Sequence, residues 1–193
     1  MKENETGTFY PSDRQQWRQW LQENHDKQQS VWLVYYRVKS GIPTISWGEA
    51  VDEALCFGWI DSTKKTIDDE QFIQFFSRRK ATSTWSKVNK EKVQRLIAEG
   101  SMTAMGLQSI ETAKQNGSWT ILDTVEELII PDDLELAFDA RPGSKDFFLS
   151  LSKSARKIML AWLVLAKREE TRQKRIAGLV DSAAQKLKPQ QFR

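Results

Sequence analysis

Apolar positions along the chain change their spacing several times, and each change marks an element. Trp17, Trp20 and Leu21 recur at helical spacing behind Pro11 and Ser12. This predicts an amphipathic helix capped by Ser12, with Gln15 closing a capping box. Residues 30–39, SVWLVYYRVK, are β-branched or aromatic on both faces, which predicts a central strand covered on each side. A loop at Gly41-Ile42-Pro43 follows. Residues 46–58, SWGEAVDEALCFG, return to helical spacing, with Ser46 and Glu49 forming a capping box and Gly58 as the stop. Residues 59–67 and 71–77 predict two strands joined as a hairpin at Asp68-Asp69-Glu70. Two helices are predicted next, at 86–99 and 103–116, stopped by Gly100 and Gly117.

The second part of the chain has no strand pattern. Residues 121–133 are acidic and read as a linker, with Pro131 in the first turn of a short helix. Beyond Arg141-Pro142-Gly143, residues 152–166 are apolar nearly all round, which predicts the buried helix of a bundle. A last helix sets Ile176, Leu179, Val180, Ala183, Ala184 and Leu187 at helical spacing, with Pro189 beyond its end. The order of elements predicts an α+β fold. A small antiparallel sheet with flanking helices is expected over residues 1–120, followed by a helical carboxyl-terminal region over residues 131–193.

Composition narrows the chemistry. A 193-residue chain with 39% hydrophobic and 28% charged residues is expected to build a packed core, and eight Trp and nine Phe reinforce that. A single cysteine, Cys56, excludes an intramolecular disulfide and multi-cysteine metal clusters. A single histidine excludes His-rich zinc sites, and His25 lies in the polar stretch NHDKQQS, where a surface position is expected. No metal and no cofactor is expected. The amino-terminal stretch MKENETGTFYP lacks an apolar signal core, and the longest apolar run, residues 158–166, is too short to span a bilayer. A cytoplasmic location without membrane insertion is therefore expected.

Charge is uneven. Residues 144–193 hold twelve Lys/Arg against four Asp/Glu, a balance of +8 that leaves −5 for the first 143 residues of a chain whose net charge is +3. Residues 77–95 hold seven bases and one acid. Within that run Arg78, Arg79, Lys87 and Lys90, with Trp85 and Ser86 at a helix amino end, form a candidate anion- or partner-binding site. An acidic candidate lies on the 46–58 helix, where Glu49, Asp52, Glu53 and Cys56 share an arc of roughly 100°. Together with Asp61 on the following strand, these carboxylates could serve as acid/base groups or hard-metal ligands; the plainer reading is a solvated or ion-paired helix face. Cys56 among acids is expected to be a buried structural thiol. In the last helix Arg168, Arg172 and Arg175 share a stripe suited to pairing with residues 122–139, which hold seven acids and no base.

The strings SWGEAVDEALCFGWIDSTKK and FFSRRKATSTWSKVNKEKVQRLIAEGSMTAMGL resemble the YdeI/OmpD-associated, or bacteriocin-protection, family, as does LSKSARKIMLAWLVLAKREETRQKRIAGLV in the carboxyl region. The resemblance spans nearly the whole chain. It implies a role in protection against bacteriocins or antimicrobial peptides and a link to an outer-membrane porin, and it carries no catalytic residue over. Members commonly read Ser-Pro-Arg after the hairpin, where this chain has Ser77-Arg78-Arg79; losing the proline restores an N–H donor at position 78. The expectation is a protein that acts by binding a protein partner or a small anionic ligand. A nucleic-acid-binding module using the basic loop and the arginine stripe is one alternative. A small acid/base enzyme using Asp52, Glu53 and Asp61 is another.

Overall fold

A computed structural model describes residues 7–192. Residues 1–6, on which the expectation of no export signal partly rests, lie outside the described residues, as does Arg193. The chain forms two compact units, Met1–Trp119 and Thr120–Arg193.

The first unit is α+β. Its strands, β1 (Thr8–Phe9), β2 (Ser30–Tyr36), β3 (Trp59–Thr66) and β4 (Gln71–Arg78), form one sheet in the order β1-β2-β4-β3. β2, β4 and β3 pair antiparallel, while β1 adds a short parallel pair, so the sheet is mixed rather than wholly antiparallel. The β3–β4 hairpin turns where expected, with the Asp68 carboxylate accepting from the backbone of Glu70 and Gln71. β2 is an inner strand, but only one face is covered. Val31, Leu33 and Tyr35 are buried, whereas Trp32, Val34 and Tyr36 are half-buried. That outer face is shielded by its own neighbours: Trp32 meets Phe75 edge-on, and the Lys65 ammonium sits 4.7 Å from the Trp32 ring.

Helices α1 (Arg14–Asn24), α2 (Trp47–Cys56), α3 (Lys87–Ala98) and α4 (Ala104–Gln115) complete the unit. The cap of α1 is Asp13, whose side chain accepts from Gln16, one residue beyond the expected Ser12. A carboxylate outcompetes the neighbouring hydroxyl for the orphan N–H, and Ser12 instead donates its backbone N–H to Gln16 Oε1. Ser46, Ser86 and Thr103 cap α2, α3 and α4, and the Ser46–Glu49 capping box is complete. The core joins α2 to the inner sheet face through Ala50, Val51, Ala54, Leu55, Leu33 and Phe76. Phe9, Trp17, Trp20 and Trp59 form an aromatic run at its edge.

The second unit is helical: α5 (Asp123–Glu126), α6 (Asp132–Asp139), α7 (Ser144–Ser150), α8 (Lys153–Val164) and α9 (Glu169–Ala184). The acidic segment expected as a linker, residues 121–133, contributes α5 and the first two residues of α6, because Val125, and Leu134 just beyond it, drop into the core beside Leu160, Leu163, Ile176 and Leu179. Its charges are absorbed locally. The Arg172 guanidinium grips Asp133 with two bonds of 2.5 and 2.8 Å, Lys157 pairs with Glu126, and Lys145 pairs with Glu135. The α8 helix is not buried all round. Met159, Leu160 and Leu163 face the core, while Ile158 remains 56% exposed. No helix among the described residues is long and apolar enough to cross a membrane.

Candidate functional site

Two of the expected acids are occupied by packing. Helix α2 is buried from Ala50 to Cys56, Asp52 and Glu53 included. Glu53, 2% exposed, receives Arg14 at 2.5 Å and Arg18 at 2.6 Å from α1. Asp52 receives Lys92 at 2.5 Å and Arg95 from α3. The face is ion-paired rather than solvated, since a buried carboxylate is held charged only by such partners. The bond to Glu53 raises the pKa of Arg14. Glu49 serves the capping box, and its bonds to Ser46 lower its pKa. Asp61 lies apart, accepting from Trp47 Nε1 at 2.9 Å and Gln74 Nε2 at 3.2 Å, and borders a separate cleft with Lys64 and Phe72. The carboxylates are thus divided among three settings and do not converge on one site. Among the described residues no group of three or more His, Cys, Asp or Glu could hold a metal ion. Cys56 is fully buried, and burial, reinforced by the charge of Glu53, pushes its thiol up to about 11.

A cavity walled by two helices and the basic loop opens elsewhere in the first unit, at the carboxyl end of α2. Its volume is about 270 Å³ and its surface is mostly apolar. Phe57, Gly58 and Trp59, at the α2–β3 junction, supply one wall, and Met105, Gln108, Ser109 and Thr112 of α4 supply another. His25 and Asp26, just past α1, also line it, as do Arg78 at the end of β4 and Arg79, Lys80, Ala81 and Trp85 in the loop that follows.

Local sequence explains why these walls meet. Gly58 sits at φ +72°, and a Cβ there would press within 3.2 Å of the Met105 carbonyl oxygen. Gly106 lets α4 come so close that a Cβ would collide with the Cys56 carbonyl. That same carbonyl accepts from the backbone N–H of Thr103 at 3.1 Å and from its hydroxyl at 2.6 Å. The basic loop is pinned rather than free. Trp85 is 1% exposed and packs against Trp119, while Asn116 and Ser118 donate to the Ala81 carbonyl.

Arg79 is the unusual group. Its backbone N–H bonds the Gly58 carbonyl at 2.9 Å, and its guanidinium carbon lies 3.6 Å from the centre of the Trp85 ring. One terminal nitrogen donates to the Thr84 carbonyl at 3.1 Å, and Nε is buried without a hydrogen-bond partner among the described residues. No carboxylate pairs with this guanidinium among the described residues, and burial lowers its pKa to about 10, partly opposed by the charge of Asp61. Arg78 is tethered beside it. Its Nε donates to the Gln28 carbonyl at 2.8 Å, and the backbone N–H present in place of a proline donates to Gln29 at 3.1 Å.

The structure therefore brings Arg78, Arg79 and Trp85 together at one cavity and leaves the other expected residues outside it. Ser86 caps α3, Lys87 lies 3.9 Å from Glu91, and Lys90 faces the Trp119 ring. His25 was expected at the surface. It is half-buried, with its ring on Phe57 at 5.3 Å and its Nδ1 2.9 Å from the Leu21 carbonyl of its own helix. Nothing local in the sequence marks the Phe57 contact, because that ring comes from the end of another helix. The arginine stripe of α9 is largely engaged within the second unit. Arg172 holds Asp133, and Arg175 donates to the Trp162 carbonyl and stacks on that ring at 4.9 Å. Arg168 and Lys167 border a cleft with Thr171 and Arg175.

An α+β unit with a basic, largely apolar cavity, joined in sequence to a helical unit, defines the class of protein. A family model described as a domain of unknown function (DUF8412) matches residues 9–109, just over half of the chain. A second, described as bacteriocin-protection, YdeI or OmpD-associated, matches residues 127–186. The chain belongs to the family of the first and carries the bacteriocin-protection, YdeI or OmpD-associated domain in its carboxyl unit. That match is narrower than the resemblance suggested, since the stretches at 46–65 and 75–107 fall within the first domain. No curated protein and no solved structure matches the chain.

Proposed function

We propose that the protein contributes to bacteriocin protection by taking a small anionic ligand into the cavity beside Arg79. The observation that carries this reading is the partly desolvated guanidinium with no carboxylate partner among the described residues. The buried carboxylates of the unit, by contrast, are matched, Glu53 by two arginines and Asp52 by a lysine and an arginine. An unmatched cation at a cavity wall costs the fold stability that an incoming anion would return. The bacteriocin-protection part of the reading comes from the domain match over residues 127–186. It is a binding role, and it takes the cytoplasmic location expected from the sequence.

Expression in a bacteriocin-sensitive bacterium tests the proposal. The native chain is expected to protect, and Arg79→Met to lose protection at equal protein level. Methionine keeps the apolar stem against Trp85 and removes the unmatched charge, so the variant is expected to melt no lower than the native chain. Full protection by Arg79→Met removes the cavity from the account. Failure of the native chain to protect removes the bacteriocin role.

A further inference from the structure

We infer that the ligand of this cavity is a small monocarboxylate carried on an apolar body. The inference rests on the anion-binding reading above and names its substrate class. The charge at the cavity argues for one negative unit. Of the bordering cations, half-buried Arg79 has an enclosed Nε without a partner, while Lys80 is exposed and Arg78 spends its Nε on the Gln28 carbonyl. Asp26 stands at the edge and opposes a second negative charge. A phosphate carries about two charges near neutral pH and would have to be stripped of water against a single desolvated guanidinium. A carboxylate matches that guanidinium in both charge and planarity.

The walls argue for the apolar body. Phe57, Trp59, Trp85 and Met105 border the cavity, and the exposed surface within it is mostly apolar. Stacking on Trp85 at 3.6 Å holds the guanidinium plane fixed, which favours an in-plane partner over a diffuse ion. Ligand sites of this make-up, apolar walls with a few convergent polar groups, take amphipathic small molecules. A bare anion such as acetate would leave the apolar walls wet, and an uncharged ring would leave Arg79 unmatched.

Thermal unfolding of the full chain with benzoate, acetate, inorganic phosphate and benzamide tests this. Ligands that bind the folded state raise its melting temperature by mass action. Benzoate is expected to raise it at millimolar concentration, with acetate, phosphate and benzamide at least about tenfold weaker, the loss expected when a charge-assisted bond or its apolar body is missing. Arg79→Lys, which keeps the charge but not the planar fork, is expected to weaken benzoate by a similar factor. Stabilisation by phosphate without benzoate would overturn the monocarboxylate class and keep the anion reading. Equal effects of benzamide and benzoate would overturn both, as would no shift with any of the four.

Discussion

Two side chains in the first unit show how burial sets chemistry. Arg79 keeps its charge near neutral pH but holds it less firmly than a solvated arginine, because water is largely excluded around it. Cys56 moves the opposite way in charge terms, its thiol pushed from an ordinary value of 9.0 to about 11 by burial and then by Glu53. The folded state therefore favours the thiol. That contribution to stability is complete below the unfolded value near 9 and is lost as pH rises through about 11. A thiol reagent at pH 8 is expected to leave Cys56 untouched in the native chain and to react with one equivalent in denaturant. Rapid reaction without denaturant would show that the α2–α4 contact is open.

At the scale of elements, α2 is a charged helix used as a buried one, clamped by α1 through Glu53 and by α3 through Asp52. The two sides of such a pair are not equivalent. Glu53 is buried, whereas Arg14 and Arg18 are 41% and 32% exposed and can return to water. Replacing both arginines by alanine strands a buried carboxylate and is expected to cost about 3–5 kcal/mol. Glu53→Gln keeps the shape and one of the two accepting oxygens and strands no buried charge, so it is expected to cost about 1–3 kcal/mol. Denaturant unfolding of the two variants checks the order, and the reverse order would contradict the clamp. The sequence foretold helix ends such as Ser46–Glu49 and Gly58 because capping is decided within four residues. It did not foretell that Asp52 and Glu53 are buried, since their partners lie 35 to 43 residues away along the chain. Residues 121–133 misled for the same reason: their acids resemble a solvated linker until Lys157 pairs with Glu126 and Arg172 with Asp133, the latter a pairing that the arginine stripe did foreshadow. Part of the site was legible, because Arg78, Arg79 and Trp85 are neighbours in sequence; His25 and the α4 wall were not, because only the fold brings them there.

On the scale of the whole molecule, the two units place their cations differently. In the second, Arg172 and Lys157 are held by carboxylates and Arg175 by a carbonyl of the same unit, whereas in the first the Arg79 guanidinium borders a cavity with no carboxylate partner among the described residues. The central claim is that anions enter the chain at that cavity. The most direct measurement follows the indole N–H signals of the eight tryptophans in a nitrogen-15 spectrum while sodium benzoate is added. The cavity tryptophans Trp59 and Trp85 are expected to shift together and saturably, with Trp162 of the second unit unchanged and the response absent in Arg79→Met. A saturating shift of Trp162, beside the Arg175 guanidinium, with Trp59 and Trp85 unmoved would place the site in the second unit and contradict the account.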